Sequence, residues 1–178
     1  MFMELLRKRR SIRRYSDRPV EKEKTDALVE AGLRAPSSRA IRPWEFVVVT
    51  DRRLLEDLSK AREHGSSFLA GAPLGIAVCA DPGKSDAWVE DASIAAIIIQ
   101  LAAESVGLCS CWIQIRERMH SPKVSARDYV AGLLHLPPGV MVESVLALGY
   151  PAESLTPHPQ EKLLYSQAHL GVFGTRYH

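Results

Sequence analysis

Seven of the thirteen residues from Arg7 to Pro19, in the stretch RKRRSIRRYSDRP, are Arg or Lys. Guanidinium groups offer paired N–H donors that match the oxygens of a phosphate or a carboxylate, and the hydroxyl of Ser11 can add another donor. Such a cluster can hold a nucleic-acid backbone, a membrane surface or a small phosphorylated ligand. It can also be a solvated helix end without a ligand.

The positive charge is local. Residues 1–18 carry seven basic and two acidic side chains, whereas the whole chain has 23 Lys and Arg against 21 Asp and Glu. Nucleic-acid-binding proteins usually spread positive charge over a face and interleave it with aromatic residues. Here Tyr15 is the only aromatic residue within the cluster. A small phosphorylated ligand, or solvent alone, therefore fits the pattern better than a polynucleotide.

Other signatures of catalysis or metal binding are absent from the sequence. The three cysteines, Cys79, Cys109 and Cys111, are an odd number that provides no disulfide framework and that suits a reducing compartment. Cys109 and Cys111 have no second Cys/His pair at metal-ligand spacing, so we expect buried strand cysteines and no zinc site. The HExxH, GxSxG, GxxxxGK and GxGxxG motifs do not occur. We therefore assign no metal ligand and find none of the common hydrolase, P-loop or dinucleotide-binding signatures.

Length and composition predict one folded domain over residues 1–178. The chain is 46% hydrophobic and 25% charged, as in ordinary soluble proteins. Its start, MFMELLRKRR, lacks the charge-then-apolar order of a signal peptide. The longest apolar run, 92–103, is shorter than the roughly 20 residues that cross a bilayer. These features predict a cytoplasmic protein without a membrane partner.

The elements that must position the cluster alternate between helices and strands. Helices are predicted over 3–10, 22–34, 52–63, 87–106 and 121–134, the last because Ser121-Pro122 looks like an N-cap followed by Pro at the first helical position. Strands are predicted over 45–50, 74–79, 109–115 and 142–148 from their apolar, β-branched runs. The class is α/β or α+β, with helices on both faces of a sheet, and the spacing alone suggests parallel crossovers.

Two segments carry more apolar surface than a small domain easily covers. The predicted helix WVEDASIAAIIIQLAAESVG is apolar almost all round through its middle, and such a helix must be covered on all sides. A subunit interface would cover it, and a central helix of one domain is the alternative. Residues 151–178 show little periodicity but contain Leu163, Leu164, Tyr165 and Phe173, so we expect a packed, irregular C-terminal arm.

A second stretch, RAPSSRAIRPWEFVVVT (34–50), combines a helix end, two hydroxyls, a turn and a buried strand. Alone, these are turn and core residues. Together with RRSIRRY upstream and with WVEDASIAAIIIQLAAESVGLCSCWI and ALGYPAE downstream, they form four motifs in a characteristic order. On these motifs the chain resembles the nitroreductase family of FMN-dependent oxidoreductases from about Leu6 to Tyr150.

This resemblance implies an α+β fold with a central, mixed and mostly antiparallel sheet flanked by helices, which replaces the parallel sheet suggested by spacing. It also implies an intertwined homodimer with two FMN sites at the interface. The residues that it implies for FMN binding are Arg9, Arg10, Ser11, Arg13, Pro36, Ser37, Ser38, Gln114, Ile115 and Lys162.

Each group has an implied role. Arg9 and Ser11 would serve the phosphate, together with Lys162 from the tail, and Arg13 would lie near the flavin N1–C2=O edge. Residues 36–38 would approach the flavin from the other subunit, and the backbone amides of residues 114 and 115 would approach its N5–O4 edge. The loop departs from the family pattern at two positions, where Ala40 and Arg42 replace the usual Asn and Gln.

The implied reaction is ping-pong hydride transfer from NAD(P)H through FMN N5 to an electron-poor small-molecule acceptor, such as a nitroaromatic compound or a quinone. The nicotinamide would share the open flavin face, which makes a separate dinucleotide fingerprint unnecessary. Two alternatives stay open. One is a flavoprotein of the same fold with another reaction, such as dehalogenation, flavin degradation or substrate dehydrogenation. The other is a nucleic-acid or membrane-surface binder that uses the basic segment.

Overall fold

The computed structural model describes residues 2–177, which form an α+β fold around a four-stranded sheet. The helices are α1 (Phe2–Lys8), α2 (Lys22–Leu33), α3 (Arg52–Leu58), α4 (Trp88–Ser105) and α5 (Ala126–Leu133). The strands are β1 (Trp44–Val49), β2 (Leu74–Ala80), β3 (Cys109–Gln114), β4 (Met119–Ser121), β5 (Val124–Ser125) and β6 (Met141–Gly149). Among these described helices, none combines the length and apolar character needed to span a bilayer.

The main sheet has the order β1-β2-β6-β3, and all three strand pairs are antiparallel. This contradicts the parallel neighbours that the spacing suggested and confirms a mostly antiparallel sheet. The reason lies in β6, which inserts between β2 and β3. These two strands run in the same direction and are joined by α4, but they do not touch as partners. Within residues 2–177, parallel pairing is limited to the isolated bridge between Ser11 and Ser110.

Apolar side chains cover both faces of the sheet. One face packs Ala77, Cys79, Val145 and Ala147 against α3 and α5, and the other packs Ile76, Val78, Leu146 and Leu148 against α2 and α4. Every residue of β2 is buried, which explains why its sequence is apolar without alternation. The expectation of helices on both faces is confirmed.

Two helix boundaries differ from the predicted ones by more than two residues. The last helix begins at Ala126, because Ser125 Oγ accepts a hydrogen bond from Asp128 N (3.0 Å) and so caps it. Ser121, the predicted cap, belongs to β4, which pairs with β5. Helix α3 ends at Leu58 and not at residue 63. A serine four residues too early gave a plausible N-cap pattern, and only the strand pairing distinguishes Ser121 from Ser125.

Helix α4 is buried on one side and partly exposed on the other, so it is not the central helix of one domain. Ala92, Ala96, Ile99 and Ala103 are completely buried against the sheet and α2. Ile94 and Ile97 lie on the opposite side and remain 38% and 39% exposed. The protomer therefore leaves an apolar stripe of its longest helix uncovered.

The C-terminal segment has little regular structure. It contains two short 3-10 turns, Gln160–Lys162 and Tyr165–Gln167. Its large apolar side chains are exposed, Leu164 by 66% and Phe173 by 92%. Within one protomer these side chains are not packed, contrary to the expectation of a packed arm.

A tight contact at the end of β6 predicts an effect on stability. A Cβ atom at Gly149 would lie 2.6 Å from Cδ of Pro73 and 3.2 Å from the Tyr15 ring. Because the proline ring is rigid, we expect Gly149→Ala to lower the free energy of unfolding by about 1–3 kcal/mol in urea denaturation. Gly132→Ala in α5 is the control. A Cβ there meets nothing within 4 Å, so we expect about 0.5–1 kcal/mol of stabilisation. Equal stability of the two variants would contradict this account.

Candidate functional site

Residues 7–19, the cationic segment, are attached through their backbone to the edge of the sheet. Ile12 N donates to Ser110 O (3.1 Å), and Ser16 N donates to Tyr150 O (2.9 Å). Between these two contacts, the buried Tyr15 hydroxyl donates to two backbone carbonyl oxygens, Ile12 O (2.6 Å) and Ala147 O (3.2 Å). Tyr15 thus joins the segment to β6, and burial raises its pKa so far that the hydroxyl stays protonated.

Glu153 provides a second attachment that the sequence reasoning missed. Its Oε1 accepts from Arg13 N (2.7 Å) and Arg14 N (3.2 Å). Arg10 Nη1 donates to Thr156 O from the same stretch of chain. The signal was present in the motif ALGYPAE, where Glu153 is the final residue, but it could not be interpreted without knowing which backbone faces it.

The guanidinium groups of the segment are available for a ligand. Within residues 2–177, no carboxylate forms an ion pair with Arg9, Arg10 or Arg13. Arg13 Nη1 donates to Ser11 O (3.3 Å), and its Cζ lies 5.6 Å from the centre of the Phe68 ring. The contact with Phe68, from a 3-10 turn far away in sequence, was also missed. It orients the guanidinium without neutralising it.

The end of β3 directs one of its two candidate amides outward. Ile115 N donates to Glu143 O (3.1 Å), and the Ile115 side chain is buried. Because residues alternate in an antiparallel pair, Gln114 directs its N–H to the open edge of β3. Gln114 is therefore the better placed of the two to meet a ligand, whereas the N–H group of Ile115 is already engaged in the sheet.

The Gln114 side chain belongs to a partly buried network. Its Oε1 accepts from Trp112 Nε1 (2.9 Å), and its Nε2 donates to Glu143 Oε1 (3.2 Å). Glu143 is itself buried, and this burial raises the pKa of its carboxyl group. The network fixes Gln114, so its backbone amide is the group left for a ligand.

Residues 36–42 form a strained loop. Ser37 Oγ accepts from Arg42 N (2.9 Å), and Ser38 N donates to Asp91 Oδ1 (2.8 Å). Arg39, Ala40 and Arg42 have φ angles of 52°, 54° and 54°, in a region that non-glycine residues rarely occupy. Such strain concentrates at functional sites and is held by the surrounding structure.

One protomer does not bring this loop to the cationic segment. The loop is tied to Asp91 near the beginning of α4, whereas Lys8 and Arg9 act electrostatically on Glu104 near its end. Thirteen residues of helix separate the two positions by about 20 Å. Pro36, Ser37 and Ser38 therefore lie apart from Arg9, Arg10, Ser11 and Arg13 within one chain.

Lys162 lies in the exposed 3-10 turn of the tail. Its neighbours Gln160 and Leu163 line a cleft of about 420 Å³ together with Met3, Leu6 and Arg7 of α1. The tail therefore returns to the N-terminal helix. The Lys162 amine forms no hydrogen bond or ion pair with residues 2–177, so its implied phosphate contact stays a prediction.

All three cysteines are buried, as expected, and the described residues contain no group of three or more His, Cys, Asp or Glu that could hold a metal ion. Burial raises the pKa of both Cys79 and Cys109 to about 12 and also raises that of Cys111. At neutral pH these thiols are therefore protonated and poor nucleophiles.

Comparison with known proteins identifies the family. The profile of the Nitroreductase family matches residues 6–64 and 56–150. The chain belongs to the nitroreductase family. A solved structure described as an FMN-dependent nitroreductase from Clostridium difficile R20291 is 45% identical in sequence. It superposes with a TM-score of 0.95 over 96% of this chain and 99% of that one.

Two sequence relatives extend this picture of the nitroreductase family. A candidate NADH dehydrogenase/NAD(P)H nitroreductase of Archaeoglobus fulgidus is 38% identical over 155 residues, which cover 85% of this chain and 86% of the relative. An FMN reductase [NAD(P)H] of Bacillus subtilis is 28% identical over 185 residues, covering 90% of this chain and 71% of the relative. The similarity thus runs over most of this chain.

The protonated thiols of this nitroreductase-family chain predict slow chemical labelling. Because thiolate is the reactive form and the pKa of Cys79 and Cys109 is about 12, we expect little reaction with Ellman's reagent at pH 8 in the native protein. Three thiols per chain should react at once in denaturant. Rapid labelling of the folded protein at neutral pH would show that these side chains are accessible and ionised.

Proposed function

We propose that this protein is an FMN-dependent oxidoreductase that takes hydride from NAD(P)H and passes it to an electron-poor small molecule. The observation that carries this proposal is the arrangement at the edge of β3. Unpaired arginine side chains, the Ser11 hydroxyl and an outward-facing amide at Gln114 lie along one open strand. Two of the proteins to which the chain is similar are described as FMN-dependent or as reducing FMN.

The side chains present suit FMN chemically. Its phosphate carries almost two negative charges and requires forked donors, which Arg9 supplies without a competing carboxylate. Ser11 adds a hydroxyl donor. Arg13 is held beside Ser11 and Phe68, where its charge would stabilise negative charge at the flavin N1–C2=O edge. The Gln114 amide would donate at the N5–O4 edge.

The chemistry of hydride transfer would be supplied by FMN when it is bound. The protein's own residues bind and orient, and none of them needs to act as an acid or base. Arg42 places a further charge in the loop where the family pattern has Gln, and Ala40 can neither donate nor accept through its side chain.

Two features of the protomer support a homodimer. Residues 36–38 lie about 20 Å from the cationic segment along α4, so a site that uses both requires a second copy. The exposed Ile94 and Ile97, together with the apolar tail, offer the surface that such a copy would cover. In this arrangement the loop of one protomer completes the site of its partner.

The proposed activity is tested by anaerobic reduction. FMN-loaded protein is mixed with NADH or NADPH, the bleaching of the flavin absorbance is followed, and nitroaromatic, quinone and halogenated acceptors are then added. Rapid bleaching followed by reoxidation with an acceptor is expected. A colourless protein that does not bind added FMN would reject the proposal. Turnover of halogenated compounds alone would favour a dehalogenase of the same fold.

Variants of the cationic segment separate its two roles. We expect Arg9→Ala to weaken FMN binding with little change in the flavin potential. Two unit charges about 4 Å apart interact by roughly 4 kcal/mol at an effective dielectric constant of about 20, and solvent reduces this to about 1–2 kcal/mol. Arg13→Ala should therefore lower the two-electron potential by some tens of millivolts, since about 30 mV corresponds to roughly 1.4 kcal/mol.

Spectroelectrochemistry and fluorescence titration measure both effects. Arg14→Ala is the matched control, because only its backbone N–H contacts Glu153, and we expect it to change neither quantity. An unchanged potential in Arg13→Ala with FMN still bound would remove Arg13 from the site.

The dimer is tested on the exposed face of α4. Ile97→Glu places a charge on the apolar stripe without disturbing the protomer core, and we expect dissociation together with loss of FMN. In the predicted interface this unpaired charge costs several kcal/mol, about 2–5. Light scattering measures the mass of the assembly. Glu90→Gln, at an exposed position of the same helix, is the control. A folded, FMN-loaded monomer of the wild-type protein would contradict the proposed assembly.

A further inference from the structure

A second cleft lies beside the cationic segment. It has a volume of about 310 Å³ and opens between this segment, the turn from α4 to β3 and the residues after β6. That volume is at the lower end of the range of ligand pockets, about 300–1,000 Å³. Of the ten residues assigned to FMN, Arg10 alone lines it. The cleft is therefore distinct from most of the proposed flavin site.

Glu104 is an unexplained group in this cleft. The residue lines the cleft and is only 9% exposed. Its carboxylate forms no hydrogen bond or ion pair with residues 2–177. Burial raises its pKa, and the nearby cations Lys8 and Arg9 oppose that rise. Its carboxylate oxygens are not among the fully buried atoms without a partner, so they face the cleft, where a ligand that supplies a cationic donor would gain free energy.

The charges that line the cleft restrict the class of ligand. Lys8 and Arg10 are cations, whereas Glu104 and Glu153 are carboxylates. A simple anion would meet two carboxylates, and a simple cation would meet an ammonium and a guanidinium group. A neutral apolar molecule would leave Glu104 without a partner. A ligand with one positive and one negative group satisfies both sets.

The apolar lining adds a third feature. Ile12, Leu108, Pro151 and Leu155 contribute hydrophobic surface to the same cleft. Glu153 is less available than Glu104, because its Oε1 already accepts from Arg13 N and Arg14 N. Arg10 also has one donor engaged, by Thr156 O, and keeps its other N–H groups. The groups left for a ligand are thus one carboxylate, the Lys8 ammonium, the remaining Arg10 donors and an apolar wall.

We propose that this cleft binds a small zwitterion of the α-amino acid type with an apolar side chain. Glu104 binds the ammonium group, Lys8 and Arg10 bind the carboxylate, and the apolar side chain packs against Leu108 and Leu155. Binding in this cleft does not require hydride transfer. It would give the proposed FMN-dependent enzyme a second small-molecule ligand.

Calorimetric titration of the FMN-loaded protein with three matched probes tests the proposal. L-phenylalanine carries both charges, 2-phenylethylamine lacks the carboxylate and 3-phenylpropanoate lacks the ammonium group. We expect L-phenylalanine to bind and each analogue to bind at least about tenfold more weakly, because each leaves charged groups of the cleft without a partner. Equal affinity for the three probes, or no binding of L-phenylalanine at millimolar concentration, would overturn the proposal.

Variants of the chain locate the binding. Glu104→Gln keeps the shape of the side chain and should weaken L-phenylalanine binding about tenfold or more. Lys8→Met, at an exposed position, should have a similar effect. Glu90→Gln, on the same helix, should bind normally. All three variants should still bind FMN, and Glu104→Gln, which removes a negative charge near Arg9, should bind it no more weakly than the wild-type protein, so a failure of this proposal is distinguishable from a failure of FMN binding. Competition between L-phenylalanine and FMN, or normal binding by both cleft variants, would refute a separate site.

Discussion

The attachment of a highly charged segment to the edge of a hydrophobic sheet is the constraint on which this structure depends. Mutual repulsion and hydration would keep a run with so many arginines in solvent. Tyr15 overcomes this by burying its ring, while its hydroxyl donates to a site formed by two backbone carbonyls. Glu153 then accepts the backbone N–H groups of Arg13 and Arg14 and leaves their side chains unpaired. The protein thus attaches the segment mainly through its backbone, and it leaves the guanidinium groups of Arg9 and Arg13 without a carboxylate partner among the described residues.

The loop at residues 36–42 holds backbone strain. Three non-glycine residues hold left-handed conformations there, each of which costs of order 1 kcal/mol or more. Asp91 and the Arg39–Asp86 pair hold the loop in this shape on the first turn of α4. A flexible loop would lose more entropy on ordering against a partner, so a rigid loop suits the dimer contact that we propose for it.

The sequence was most informative where a local pattern determines the structure. The apolar runs placed β1, β2, β3 and β6 to within one residue. The apolar middle of α4 leaves Ile94 and Ile97 partly exposed on the protomer, and the interface that it suggested stays a prediction. The roles of Glu153, Phe68 and Glu143 were not predictable, because each depends on a contact between distant parts of the chain. Ser121 was mistaken for the N-cap Ser125 because both have the local chemistry of a cap, and only β4–β5 pairing separates them. The order of the strands could not be predicted from their spacing, because it also depends on pairing between distant parts of the chain.

The position of β6 has a consequence for how the chain folds during synthesis. This strand lies in the middle of the sheet, yet its residues, Met141–Gly149, are the last of the four strands to leave the ribosome. Until they emerge, β3 has no neighbour in the main sheet, and the fully apolar β2 has only β1 beside it. Pairings this distant in sequence form slowly, and the exposed edges of β2 and β3 are vulnerable to aggregation until they do. If the ribosome pauses before residue 149, β3 therefore cannot yet join the sheet that contains β1 and β2. We expect chaperones to bind the nascent chain for longest at that stage.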